Sequence, residues 1–116
     1  MNTDFAKEWL EAWNSHDLDK IMEHYSENID FVSPIIQQMG INAAGKISNK
    51  SDLKDYFSKA LQKYPDLHFE LYHELKGANS TVLFYRSVNN SFSAEYMELN
   101  SDGKVSKVRA HYKFDE

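Results

Sequence analysis

Residues 9–34 read WLEAWNSHDLDKIMEHYSENIDFVSP, and the order of their periodicities decides the fold class. Counting from Phe5, the apolar residues Trp9, Ala12 and Trp13 recur at helical spacing, which predicts a first amphipathic helix. Leu18, Ile21, Met22 and Tyr25 repeat the pattern in a second. Between them Asn14-Ser15-His16-Asp17 is a polar elbow, with Asp17 as the expected N-cap of the second helix. Glu27-Asn28 is expected to end that helix. The period then falls to two over Ile29–Ser33, a strand that Pro34 stops. Two inward tryptophans in one turn are either helix-to-sheet packing or the wall of a ligand cavity.

Outward from this stretch, Thr3 is a candidate cap for the first helix, with Asp4 and Glu8 favoured by its dipole. Residues 34–47 read as a loop, yet Ile35, Ile36, Met39 and Ile41 are apolar. Such a loop should fold back over the core or over the mouth of a pocket. Leu53, Tyr56, Phe57, Ala60, Leu61 and Tyr64 form the clearest helical stripe, which predicts a third helix over 50–63, ended by Pro65. From Asp66 the period is two again. Strands are expected over about eight residues from Asp66, then over 81–88, 92–99 and 105–114. Gly77-Ala78-Asn79, Asn89-Asn90-Ser91 and Asn100-Ser101-Asp102-Gly103 separate them as turns. Helix, helix, strand, helix and a four-stranded meander make an α+β layout with helices on one face of a curved sheet.

With 116 residues the chain is expected to form one domain, 1–116. Its 41% hydrophobic and 14% aromatic content argues for an ordered globule. A net charge of −5 without a Lys/Arg cluster argues against nucleic acid as a partner. No apolar run approaches the ~20 residues that cross a bilayer, and the start of the chain lacks a secretory apolar segment. These features, with the absence of cysteine, predict a cytoplasmic location and no membrane association. His16, His24, His68, His73 and His111 are scattered, no metal-ligand spacing occurs, and no metal or cofactor is expected. No serine has an identifiable histidine and acid partner, so a hydrolytic triad is not expected either.

Three segments, AWNSHDLDKIMEHYSENIDFVSP, NKSDLKDYFSKAL and MELNSDGKVSKVRAHY, resemble the nuclear-transport-factor-2-like superfamily, in particular its SnoaL-like and ketosteroid-isomerase-like branches. The resemblance spans essentially the whole chain. It implies a cone in which a bent sheet wraps the long helix and leaves an internal pocket. It also implies where chemistry would sit. Isomerases of the family carry a general-base aspartate at the position of Ser33 and an oxyanion-stabilising tyrosine at that of Trp9. Tyr25 keeps the second tyrosine, and Glu95 matches the second oxyanion donor. Ser33 has no adjacent base, so steroid isomerisation is not expected.

Glu95 is therefore the candidate catalytic group. It is either an ordinary solvent-facing carboxylate or a buried acid of raised pKa, on one face with Ser93, Met97 and Leu99. Trp9, Trp13, Tyr25, Ser33, Met39, Phe57, Met97 and Tyr112 are the expected ligand-binding residues around a small apolar or aromatic molecule. Arg86 is expected to pair with Glu95 or Glu98 across strands. A homodimer is expected through the outer sheet face, where Tyr96, Val105 and His111 cannot all point inward. Three functions fit: an isomerase, cyclase or hydrolase using one carboxylate, a non-catalytic binder, or an assembly module with a filled cavity. Cavity volume and the orientation of Glu95 discriminate among them.

Overall fold

The computed structural model describes residues 4–114, so the Thr3 cap lies outside the described residues. The elements are α1 (Phe5–Ser15), α2 (Leu18–Met22), β1 (Tyr25–Val32), α3 (Pro34–Gln38), β2 (Lys46–Asn49) and α4 (Lys50–Lys63). Then follow β3 (Glu70–Lys76), β4 (Ser80–Arg86), a 3-10 turn (Val88–Asn90), β5 (Phe92–Leu99) and β6 (Val105–Lys113). Among the described residues six strands form one sheet in the order β2-β1-β6-β5-β4-β3. Only β1 and β6 pair in parallel; all other neighbours are antiparallel. This is the expected α+β architecture.

Helix α1 buries Phe5, Ala6, Trp9, Ala12 and Trp13 along one stripe. It ends at His16, whose left-handed backbone (φ 62°) lets its N–H donate to the Trp13 carbonyl at 3.1 Å. Asp17 caps α2 as expected, its carboxylate accepting from the Asp19 and Lys20 amides at 3.1 and 3.3 Å. The elbow also has a long-range role. The Asn14 side chain pairs with Phe69 in both directions, donating to its carbonyl at 3.0 Å and accepting from its N–H at 2.7 Å. His16 Nε2 donates to the Leu67 carbonyl at 2.7 Å. These bonds occupy the backbone of Leu67–Phe69, so β3 starts at Glu70 rather than at Asp66.

Three further expectations change. Helix α2 stops at Met22, and Tyr25 opens β1 instead of closing the helix. The Val105 amide donates to the His24 carbonyl at 2.7 Å, so pairing with β6 overrides the local helical pattern. Glu27 and Asn28 do not break the chain but sit in β1, where the register shifts between Asn28 and Phe31. The apolar stretch after Pro34 is not a loop throughout, because it contains α3 and β2. Ser33 Oγ accepts from the Ile35 amide at 3.1 Å and Pro34 occupies the first turn, a favoured helix start. Ile35 and Ile36 are then buried, and the helices number four rather than three among the described residues.

Helix α4 follows the expected bounds, with Asn49 accepting from the Asp52 amide at 2.8 Å. Leu53, Tyr56 and Phe57 are buried, whereas Leu61 is only partly so, since Ala60 and Tyr64 turn toward the interior cavity at that end of the helix. Trp13, Tyr25, Phe57 and Phe69 belong to the core. Tyr96, Val105 and His111 do not all point inward: Val105 is fully buried, whereas Tyr96 is half-buried and His111 exposed. A register shift between Glu98 and Leu99 resets the alternation at that end of β6. Arg86 pairs with neither Glu95 nor Glu98. It faces Phe92 in register, on the sheet face opposite Glu95, and reaches Tyr72 Oη at 3.0 Å and Glu70 at 3.8 Å. No helix among the described residues is long and apolar enough to cross a membrane.

Candidate functional site

Strand alternation turns Ser93, Glu95 and Met97 of β5 to the same side as Leu83 and Tyr85 of β4, toward α1 and α4. Between these layers lies a cavity of about 50 Å³. Helix α1 contributes Trp9 and Trp13, and α4 contributes Tyr56, Phe57 and Ala60. The sheet contributes Phe31, Tyr85, Glu95 and Tyr112, while Ile35 and Phe69 close the sides. The mouth is framed by Tyr64, Leu67, Ser87 and Val88, which also border an outer cleft of about 480 Å³. A water needs roughly 10–15 Å³ by this kind of measure, so the chamber accepts only a few heavy atoms.

Glu95 is the acid of this chamber, 4% exposed. Tyr85 Oη donates to its Oε1 at 2.5 Å, and no other protein group bonds its carboxyl among the described residues. Burial pushes its pKa up to about 7, and the Tyr85 hydrogen bond pulls against that rise. No Lys, Arg or His lines the cavity among the described residues. The hydroxyls of Tyr25, Tyr56, Tyr85 and Tyr112 are raised well above the ordinary tyrosine value, chiefly by burial and also by the nearby Glu95. They stay neutral through the range in which Glu95 titrates. The Ser33 hydroxyl moderates the rise at Tyr56 and Tyr112.

Of the expected site residues, Trp9, Trp13, Phe57, Glu95 and Tyr112 come together on the cavity wall. Tyr25 stands behind the wall, its hydroxyl accepting from Trp9 Nε1 at 3.0 Å. That bond occupies the one polar atom of the residue standing at the family's tyrosine position. Ser33 is buried as the cap of α3, Met97 is wholly within the core, and Met39 is half-buried at the end of α3. None of these four borders the chamber. Trp13 Nε1 and Ser93 Oγ are buried without an aligned hydrogen-bond partner, although Trp13 lies near enough to the Tyr25 hydroxyl to influence its titration.

Tyr85 went unnoticed in the sequence, although alternation with Leu83 placed it inward. Its link to Glu95 depends on the β4–β5 register, which sets Leu83 opposite Glu95 and Tyr85 opposite Ser93. Tyr56 and Phe69 were legible as core residues but not as cavity wall.

Residues 6–115 match the model of the SnoaL-like domain. A SnoaL-like protein of unknown function from Burkholderia thailandensis has a similar structure, with a TM-score of 0.90 and 36% identity over 95% of this chain and 92% of that one. A Sinorhizobium meliloti protein assigned as a polyketide cyclase is similar in fold, with a TM-score of 0.76 and 9% identity over 95% of each chain. So is SalBIII, an epoxide hydrolase/cyclase-like enzyme of pyran ring formation in the polyether salinomycin. There the TM-score is 0.75, with 16% identity over 95% of this chain and 88% of that one. No curated protein matches the sequence. By the family model, and by the first of these structures, the chain belongs to the SnoaL-like domain family.

Proposed function

We propose that this protein binds a small, mainly apolar molecule in the central chamber and exchanges a proton with it through Glu95, in isomerase-, cyclase- or hydrolase-type chemistry. One observation carries the reading: a carboxyl buried among aromatic rings, without a basic partner among the described residues, and poised near neutrality. Tyr85 holds Oε1, so in the neutral acid the proton resides on Oε2 and is available for donation. After donation the carboxylate keeps the Tyr85 hydrogen bond, which limits the cost of the charge in an apolar site. Tyr85 is thus a positioning residue for Glu95.

An NMR titration of carboxyl-labelled protein tests this directly. Glu95 should titrate near pH 7, and a value in the ordinary carboxylate range would discard the reading. With a turnover substrate in hand, Glu95→Gln should retain binding and lose catalysis. Equal turnover by that variant would reduce the protein to a binder.

The family's steroid chemistry is not proposed. Ser33 Oγ is engaged as a helix cap and offers no base, and a chamber of about 50 Å³ is far too small for a four-ring substrate. Wild-type protein should show no Δ5-ketosteroid isomerisation above background, and Ser33→Asp alone should not create it. Enone formation by wild type well above background would overturn this.

The outer sheet face favours a second, compatible proposal, a homodimer. Leu75 is 61% exposed and Phe92 38% exposed, and Phe92 packs with Tyr72 and Phe84 in an aromatic cluster on that face. Tyr96 is half-buried and His111 exposed there, while Val105 plays no part in it. Light scattering at micromolar concentration should give twice the 13.5 kDa chain mass. A monomer mass would remove the dimer.

A further inference from the structure

The chamber combines three properties that select for charge as well as size. Nine of its lining residues are aromatic: Trp9, Trp13, Phe31, Tyr56, Phe57, Tyr64, Phe69, Tyr85 and Tyr112. Its single ionisable acid, Glu95, has no cationic partner among the described residues, and its Oε2 takes no protein hydrogen bond. Its volume admits only a few heavy atoms. Aromatic faces carry negative quadrupole potential, and a ring of them around a carboxylate is attractive to a cation and indifferent to a neutral guest. A strongly hydrated inorganic cation would find too few oxygen ligands here, because the other nearby polar groups are neutral hydroxyls. A weakly hydrated organic cation needs no such shell.

Building on the proposed Glu95 site, we infer that its ligand is a small alkylammonium ion, seated against the aromatic rings with its positive charge on the Glu95 carboxylate. Neutral Glu95 releases one proton when the cation enters, because the ion pair favours the charged carboxylate. The groups facing Glu95 do not blur this titration. Tyr25 on β1, Tyr56 on α4, Tyr85 on β4 and Tyr112 on β6 all remain neutral, and α1 presents only tryptophans. In the outer cleft Lys63 lies over the Tyr64 ring and Arg86 is paired with Glu70, and Asp66 and His68 also line it. The net charge of −5 favours approach of a cation as well.

Methylammonium and tetramethylammonium bracket the size, and tert-butanol is the uncharged analogue. Binding to the full chain is read by tryptophan fluorescence and by calorimetry in buffers of different ionisation heat. At least one cation should bind about tenfold more tightly at pH 8 than at pH 6, following the ionised fraction of Glu95. Proton release should accompany binding at pH 6 and nearly vanish at pH 8, tert-butanol should bind at least tenfold more weakly at pH 8, and Glu95→Gln should weaken the cation alone. Circular dichroism confirms that this variant is folded. If Glu95 titrates near pH 7 but neither cation binds, or tert-butanol binds as well as they do at both pH values, the cation assignment falls and the acid–base site stands. If no probe binds and Glu95 titrates as an ordinary carboxylate, both fall.

Discussion

Phe57→Ala will destabilise the fold by about 3–5 kcal/mol, measured by urea denaturation at fixed pH. Phe57 is 2% exposed and sits at the centre of the aromatic core. Its ring meets Trp13 edge-on at 4.7 Å, Tyr25 at 5.2 Å and Phe31 at 5.6 Å between centroids. Removing it forfeits burial of a whole phenyl ring and three edge-to-face contacts together. The void would also merge with the existing chamber, since Phe57 is part of its wall. Water entering through the mouth recovers little, because the new surface is apolar. A loss under about 1 kcal/mol would mean that α4 presents a different face to the sheet.

Wild-type stability will fall by about 3 kcal/mol as the pH rises from 4.5 to about 7, through Glu95 alone. The sign follows from proton counting. In that window the unfolded chain has released the Glu95 proton and the folded protein still holds it, so raising the pH favours unfolding. Below 4.5 both states are protonated and the penalty vanishes; above about 7 both are ionised and it is constant. Asp30 and His24 act in the opposite direction. Hydrogen bonding to Arg109 lowers the Asp30 pKa, and burial lowers that of His24, so both withdraw stability as pH falls. The informative quantity is therefore the difference between wild type and Glu95→Gln. The variant should gain on wild type across this window and be more stable at pH 8, provided its amide oxygen keeps the Tyr85 hydrogen bond. Parallel stability curves for the two proteins would show that Glu95 is solvated in the native state.

Local pattern determined the elements with strong signals. The α4 stripe, β5 over Phe92–Leu99, the Asp102-Gly103 turn and the Asp17 cap were all readable from periodicity and capping chemistry. Each rests on groups close in sequence, which the unfolded chain already places within reach. Alternation likewise put Ser93, Glu95 and Met97 on one face, but left open whether that face looked inward or to solvent. Long-range partners decided the rest. Tyr25 joins β1 because β6 runs alongside it, and Val105 turns inward because a register shift resets β6. The segment Leu67–Phe69 is withheld from β3 because Asn14 and His16, more than fifty residues earlier, occupy its backbone groups. The site shows the same division. Which residue carries the acid was written in one strand, but its burial, its Tyr85 partner and the size of the chamber arise only when α1, α4 and four strands close together. Desolvation is a property of the packed layers, and no single segment contains it.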